Sequence, residues 1–288
     1  MPSEILRVGV VDHHLNNWHA DTFLRLLRGP LASEKVELVR AWESNPVGDD
    51  WCEKNSVERA DTPQEAIRGV DAILLLAPDN IEDHLALAKV VLPAHKPTFI
   101  DKFLAPNSVE AEEIVDLARI YRTPIFSASA LRYAVEMEEI LPTVAGEKLT
   151  DGRFTGMGKW GTYGVHTLCL AMRTMGHNVV RLIDTGTEKS RTIVLEFADG
   201  RRASLDVRFA ANQGDFCPWT FAAKHGDNYI GATVGDHEGF YHNLMRNVCG
   251  FFKSGKVDMS VEEALSTVQC LEAAETSRKA GGVWVKLK

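Results

Sequence analysis

The sequence lacks any apolar run long enough to cross a membrane. No stretch of the 288 residues approaches 18 consecutive apolar side chains, and the start, Met1 to Glu4, leads directly into a predicted strand. A membrane-spanning helix needs about 20 apolar residues, and a secretory signal needs a charged and then an apolar segment. We therefore expect neither a transmembrane helix nor a signal peptide.

Cysteines are few, and basic residues are not in excess. The five cysteines are odd in number and scattered, and no C-x-x-C pair occurs. This pattern predicts reduced thiols and a cytoplasmic protein. With 32 Lys and Arg against 40 Asp and Glu, the net charge is −8. That charge argues against nucleic acid or an anionic membrane as a partner, since both require clustered basic side chains.

The first predicted turn lacks glycine. A short apolar strand, Val8 to Val11, leads into a turn and then an amphipathic helix, as at the start of a βαβ unit. In dinucleotide-binding units a G-x-G-x-x-G motif makes this turn, admits the pyrophosphate and packs the helix against the strand. Here the three glycine positions fall on or near Asp12, His14 and Asn17. A carboxylate would lie beside a phosphate, and an imidazole would fill the space that the pyrophosphate needs.

Strands and helices alternate through the first 127 residues. Continuous apolar runs such as Ala72 to Ala77 are typical of strands buried on both faces of a parallel sheet. Thr62, Pro63 and Glu65 form a helix-start signal, with an N-cap, a proline at the first helical position and a capping-box partner. We therefore predict a Rossmann domain with a doubly wound parallel sheet over residues 1–127. Its predicted strands are 8–11, 36–42, 59–61, 72–77, 98–100 and 124–126, and its later helices are 80–92 and 108–120.

The alternation ends after about Ser127. A predicted helix, Gly164 to Met175, is followed by strands, and Asp199-Gly200 between two of them is a hairpin signal. We therefore predict an α+β substrate and oligomerisation domain over residues 128–288, with a largely antiparallel open sheet. Its strands are predicted at 179–184, 192–197, 203–209, 219–224, 229–234 and 283–286, and its last two helices at 237–252 and 261–279.

Four stretches together resemble the Gfo/Idh/MocA oxidoreductase family. Ala77-Pro78 with His84 is similar to its T-P-x-x-x-H segment, and Phe99 to Ala105 is similar to its V-x-x-E-K-P-x-A motif. Tyr163 to Leu168 resembles the G-x-H helix start that carries the family's catalytic histidine. Residues 243–287 have the spacing of its final helices and closing strand. The resemblance spans nearly the whole chain and implies the same fold and a homo-oligomer.

The resemblance implies catalytic roles for Lys102 and His166, with Tyr163 as an assistant. Lys102 would hold a substrate hydroxyl or carbonyl, and His166 would take the hydroxyl proton while hydride leaves the same carbon. Each has a plainer interpretation: Lys102 as a solvated loop lysine, His166 as a satisfied core histidine and Tyr163 as a packing residue. Without the resemblance, those interpretations are the commoner ones.

The resemblance also implies NAD or NADP as cofactor. Glu43 at the end of the second strand would bind the adenosine ribose and favour NAD, although a solvated loop glutamate is an equally good interpretation. The other expected cofactor contacts lie in the first turn and after the fourth and fifth strands, at Asp12, His14, Asn17, Ala77, Pro78 and Asp101. No metal site is predicted, because the histidines of the first turn match no standard ligand spacing.

The chain departs from the family pattern at several points. The glycines are absent, Phe103 follows the motif lysine where the family has proline, and Thr162 stands where an aspartate is usual. Two functions stay open. The first is an NAD(P)-dependent oxidoreductase acting on a sugar, polyol or related hydroxylated molecule. The second is a cofactor-free relative, either a lyase or isomerase or a small-molecule binding protein.

Overall fold

The structure is a computed structural model that describes residues 5–146, 148–209 and 217–287. The chain forms two compact units, one of residues 1–128 with 244–261 and the other of 129–243 with 262–288. The predicted division into domains of residues 1–127 and 128–288 stays a prediction. Within the described ranges, no helix is long and apolar enough to cross a membrane.

The first unit is built around a six-stranded parallel sheet with the order β3-β2-β1-β4-β5-β6. Helices follow most strands, so the predicted Rossmann-type sheet is confirmed. The strands are β1 (Leu6–Asp12), β2 (Val36–Glu43), β3 (Glu58–Arg59), β4 (Ala72–Leu75), β5 (Thr98–Ile100) and β6 (Ile125–Phe126). The helices are α1 (Trp18–Arg28), α2 (Trp51–Asn55), α3 (Pro63–Ala66), α4 (His84–Val91) and α5 (Ser108–Tyr121), and residues 244–254 of α8 (His237–Ser254) are grouped with them.

Local sequence signals explain several of these elements. All four residues of β4 are buried, as expected of a central parallel strand. The hydroxyl of Thr62 accepts the Glu65 amide at 3.2 Å, as predicted, and Pro63 is the first residue of α3. Gly9 on β1 permits a close approach, because a Cβ there would lie 2.3 Å from the Ala66 carbonyl oxygen. The backbone of β1 therefore lies directly against the end of α3.

The second unit contains a seven-stranded sheet with the order β12-β11-β7-β10-β9-β8-β13. All pairs are antiparallel except β7 with β10, which confirms the predicted α+β fold with a largely antiparallel sheet. The strands are β7 (Asp151–Met157), β8 (Val179–Asp184), β9 (Ser190–Phe197), β10 (Arg202–Arg208), β11 (Thr220–His225), β12 (Asn228–Thr233) and β13 (Val285–Lys286). The helices are α6 (Val135–Ile140), α7 (Trp160–Met175) and α9 (Val261–Lys279).

Two features of this unit differ from the sequence prediction. Strand β7 was not predicted, and helix α7 begins at Trp160 rather than at Gly164. Glycine at 152 and 156 weakens the strand signal of β7, yet both sites need glycine because a Cβ would lie 2.7 Å from Phe154 and 1.9 Å from Thr167. The first turn of α7 is fixed by tertiary packing, since the Trp160 indole donates to the carbonyl of Leu271 at 3.0 Å.

Candidate functional site

Asp12 ends β1 and ties three segments of the first unit together. Its Oδ1 accepts the backbone amides of Ala77 at 2.9 Å and His13 at 2.7 Å, and its Oδ2 accepts the side-chain amide of Asn17 at 2.8 Å. The carboxyl is fully buried, and this burial raises its pKa to about 7 against the lowering effect of those donors. Asp12 therefore joins the ends of β1 and β4 to the start of α1.

Asn17 is the N-cap of α1. Its Oδ1 accepts the amide of Ala20 at 2.9 Å, while its Nδ2 also donates to the carbonyl of His14 at 2.6 Å. The Asn17 backbone is extended, with φ −132°, and so lacks the left-handed conformation that glycine favours. His14 itself is half-buried. The start of α1 is thus capped by this chain's own side chain.

Glu43, at the end of β2, is buried and closes the same turn. Its Oε2 accepts the backbone amide of Leu15 at 2.6 Å, and its Oε1 lies 2.9 Å from the guanidinium of Arg59. Arg59 also pairs with Asp50 at 2.8 Å. Only 1% of the Glu43 side chain is exposed, and Leu15 is fully buried. Both oxygens that would meet a ribose diol already have partners within the protein.

The contacts of this turn can be compared with the way in which Rossmann domains usually bind a dinucleotide. That mode needs backbone amides of the turn for the pyrophosphate and an exposed acid for the ribose. The amides of His13, Leu15 and Ala20 already donate to side chains of the unit, and Glu43 is enclosed. A pyrophosphate would also approach the carboxylates of Asp12 and Glu43. The residues of this turn do not fit a nicotinamide dinucleotide in its usual mode.

The segment after β4 is held by a buried histidine. Ala77 has a positive φ of 48°, and Pro78 follows it. The ring nitrogens of His84 lie 2.8 Å from the carbonyl oxygen of Leu76 and 3.1 Å from that of Leu104. Burial lowers the His84 pKa, although these carbonyls act in the opposite direction. His84 therefore fixes the segment that contains Ala77 and Pro78.

Asp101, directly after β5, contacts both His19 and Lys102. Its Oδ2 lies 2.6 Å from Nδ1 of His19, and its Oδ1 accepts the backbone amide of Lys102 at 2.7 Å. Burial alone would raise the Asp101 pKa, but the His19 imidazole and Lys102 lower it overall. The Lys102 ammonium lies 3.4 Å from the carbonyl oxygen of Pro78. The sequence analysis placed Asp101 and Lys102 here but did not assign His19 to this cluster.

In the second unit, His166 lies within helix α7 and is buried. Its Nδ1 is 2.7 Å from the hydroxyl of Ser129, which the sequence analysis did not single out. The ring packs edge-on against Tyr163 and Trp219, with centroids 5.3 Å and 5.8 Å away. Tyr163 is exposed. The hydroxyl partner and the two aromatic rings fix the imidazole orientation, which suits either a core histidine or an acid–base group.

His13 of the first turn has an acidic partner in the protein. His13 Nδ1 lies 2.6 Å from Asp83. Among the residues that the structure describes, no group of three or more His, Cys, Asp or Glu side chains could hold a metal ion. The predicted roles of the individual site residues in cofactor binding and catalysis stay predictions.

No family model matches the chain, and no curated protein matches it.

Comparison with solved structures identifies the fold. A probable dehydrogenase from Thermotoga maritima superposes with a TM-score of 0.83 at 18% identity, over 98% of each chain. A myo-inositol dehydrogenase from Corynebacterium glutamicum superposes with a TM-score of 0.81 at 13% identity, over 99% of each chain. GenD2 from gentamicin A biosynthesis, solved in complex with NAD, superposes with a TM-score of 0.79 at 15% identity. The match covers 99% of this chain and 98% of GenD2. The chain has the fold of these Gfo/Idh/MocA-type dehydrogenases.

Proposed function

We propose that this protein is a divergent Gfo/Idh/MocA-type enzyme that performs acid–base chemistry on a hydroxylated carbonyl compound without a nicotinamide dinucleotide. A sugar or an oxidised polyol is the substrate class, and the reaction is an isomerisation or elimination. The observation that carries this proposal is the enclosed carboxylate of Glu43, whose oxygens are engaged by Leu15 and Arg59. The acid at the position expected to bind the ribose is thus occupied by contacts within the protein, namely the Leu15 amide of the turn and Arg59.

Lys102 and His166 are the proposed acid–base groups. The Lys102 ammonium can donate a hydrogen bond to a substrate carbonyl oxygen, and the position of Lys102 after a parallel strand suits ligand binding. His166 is held by Ser129 and flanked by Tyr163, so its ring keeps one orientation. A proton transfer between carbon and oxygen needs such fixed groups and no electron acceptor.

A second candidate is an NAD(P)-dependent oxidoreductase acting on a sugar or polyol. Structures of the same fold support it, since GenD2 and an oxidoreductase from Agrobacterium radiobacter were solved with bound nicotinamide dinucleotides. In that function, the turn would have to release Leu15 from Glu43 before a nucleotide could bind. The predicted homo-oligomer and cytoplasmic location apply to either candidate.

Two measurements test the proposal. The first is thermal unfolding with NAD⁺, NADH, NADP⁺ or NADPH at millimolar concentration, where we expect no change in Tm. A nucleotide at about 100 times its Kd would add roughly 2.7 kcal/mol of stability, which is several degrees for a chain of this size.

The second is NMR in D₂O of aldoses, ketoses and inositol-derived ketones incubated with the protein. We expect solvent deuterium to enter the substrate without any nucleotide. Two results together would instead support the NAD(P)-dependent oxidoreductase. These are an increase in Tm with a nucleotide and the reduction of NAD⁺ or NADP⁺ by a polyol, followed by absorbance at 340 nm.

A further inference from the structure

The hydroxyl of Ser129 in the second unit is fully buried, and the direction of each of its hydrogen bonds can be worked out. Its Oγ accepts the backbone amide of Leu131 at 3.2 Å and lies 2.7 Å from Nδ1 of His166. Among the residues that the structure describes, these two groups are its hydrogen-bond partners. A hydroxyl has one hydrogen to donate, and a backbone amide cannot receive it. The acceptor of the Ser129 hydrogen is therefore Nδ1 of His166.

We propose that Ser129 is the positioning residue of His166 and that it places the imidazole hydrogen on Nε2. In a neutral imidazole one nitrogen carries the hydrogen and the other accepts, so an acceptor at Nδ1 means a donor at Nε2. In the other tautomer, Nδ1 would donate to the Ser129 oxygen. The hydroxyl hydrogen would then have no acceptor among the described residues. A buried donor without an acceptor is destabilising, which favours the hydrogen on Nε2.

Two aromatic rings keep the imidazole in this orientation. Tyr163 and Trp219 pack edge-on against it, with ring centroids 5.3 Å and 5.8 Å away. A half-turn of the imidazole would put a ring carbon in the place of Nδ1, and the Ser129 hydroxyl would lose its acceptor. The hydrogen bond and the two ring contacts therefore act together on one side chain, which is itself only 8% exposed.

This tautomer gives His166 a defined role in the proposed cofactor-free function, and the role, unlike the tautomer, rests on that function. The Nδ1 lone pair is used by Ser129, and Nε2 carries a hydrogen. A neutral imidazole in this form donates a hydrogen bond to a substrate oxygen on which negative charge develops. His166 is then the donor to the carbonyl oxygen of the hydroxylated substrate. It is not the proton acceptor that was expected from the sequence.

The plainer interpretation is a buried hydrogen bond that holds the segment after β6 against helix α7. Both interpretations predict that Ser129→Ala lowers the stability of the protein, because the Leu131 amide loses its acceptor and His166 loses its donor. Only the positioning role predicts that the same change also alters the turnover of the folded protein. Ser129→Thr keeps a hydroxyl and should rescue that turnover.

The first measurement needs no substrate. Side-chain ¹⁵N NMR of the full chain, labelled at histidine, reports which ring nitrogen carries the hydrogen, and the spectrum of His166→Gln identifies the His166 signals by their loss. At a pH where the imidazole is neutral, we expect the hydrogen on Nε2 in the wild type and in Ser129→Thr. Ser129→Ala should give a mixture of both tautomers. A wild-type His166 with its hydrogen on Nδ1 would overturn the inference.

The second measurement is the deuterium-exchange assay in D₂O. We expect Ser129→Ala to lower the exchange rate about 10- to 100-fold, as for other partners that orient a functional histidine. Ser266→Ala is the matched control, because it removes a buried hydroxyl of the same unit that donates to the carbonyl of His177 at 2.8 Å. It should keep the wild-type rate and the wild-type His166 tautomer. Circular dichroism and Tm confirm that each variant is folded.

The two measurements separate this inference from the proposed function. Exchange at the wild-type rate in folded Ser129→Ala would overturn the positioning role and leave the proposed function intact. Nucleotide reduction without exchange in the wild type would instead reject the proposed function. The NMR measurement would then still decide whether Ser129 sets the tautomer of His166.

Discussion

The carboxylate of Asp101 joins His19 to Lys102. One oxygen lies 2.6 Å from Nδ1 of His19, and the other accepts the Lys102 amide at 2.7 Å. Residues that are more than 80 positions apart in the sequence therefore share one buried anion at the carboxyl end of a parallel strand. In open α/β sheets this edge is where ligands bind.

Replacing the proposed acid–base groups should remove activity and spare the fold. We expect Lys102→Met and His166→Ala each to lower substrate exchange about 10²- to 10⁴-fold. Lys54→Met, at an exposed lysine of the same unit as Lys102, is the control and should keep full activity. If His166→Ala unfolds the protein while its folded fraction keeps full activity, His166 is a core histidine.

Removing Glu43 should destabilise the first turn. Glu43→Ala leaves the Leu15 amide and one contact of Arg59 without a partner, and we expect a loss of about 2–4 kcal/mol, since a lost buried charged partner costs this much. Glu43→Gln keeps an acceptor for Leu15 and should lose less. Denaturant unfolding measures the free energy of unfolding of both variants. Glu37→Ala is the control, because Glu37 is an exposed glutamate on the same strand, and its free energy of unfolding should stay within about 0.5 kcal/mol of wild type. Equal effects at both glutamates would show that the turn does not depend on Glu43.

Asp12 should make stability depend on pH. Burial raises its pKa from 3.8 to about 7, so the folded state binds a proton that the unfolded state has released between these values. Its stabilising contribution is therefore fully present below about pH 4 and is lost as the pH rises through about 7. Asp12→Asn cannot ionise, so the Tm difference between variant and wild type should become more positive from pH 5 to pH 8. A difference that stays flat or falls would mean that Asp12 is ionised in the folded protein throughout.

A buried ion pair in the second unit should behave as a coupled unit. Arg132 and Glu263 are 3% and 7% exposed, and their charged atoms lie 3.1 Å apart. Arg132→Met alone should cost about 3–5 kcal/mol, because it removes the positive charge that faces a buried carboxylate. Arg132→Met with Glu263→Met should cost less than the sum of the single changes. Chemical denaturation of the four proteins gives the coupling energy, and additive effects would contradict the expected coupling.

The fold was predictable because its signals are local. Apolar runs such as Ala72 to Ala77 specify buried parallel strands, and Thr62 with Pro63 specifies the start of a helix. The Asp199-Gly200 turn predicts the hairpin of β9 and β10, and Gly200 adopts a φ of 83°. Strand β7 could not be found in this way, because glycine at 152 and 156 weakens its strand signal, and the close contact at Gly156 comes from Thr167 on helix α7.

The sequence by itself determined the two sheet types, the missing glycines and the location of Lys102 and Asp101 after a parallel strand. Only the tertiary structure decided the partners of the buried charges, namely Glu43 with Leu15 and Arg59, and Asp101 with His19. Secondary structure follows from the spacing of neighbouring residues. The protonation and role of a buried carboxylate depend instead on which donors the folded chain brings within hydrogen-bond distance, and these come from segments far apart in sequence.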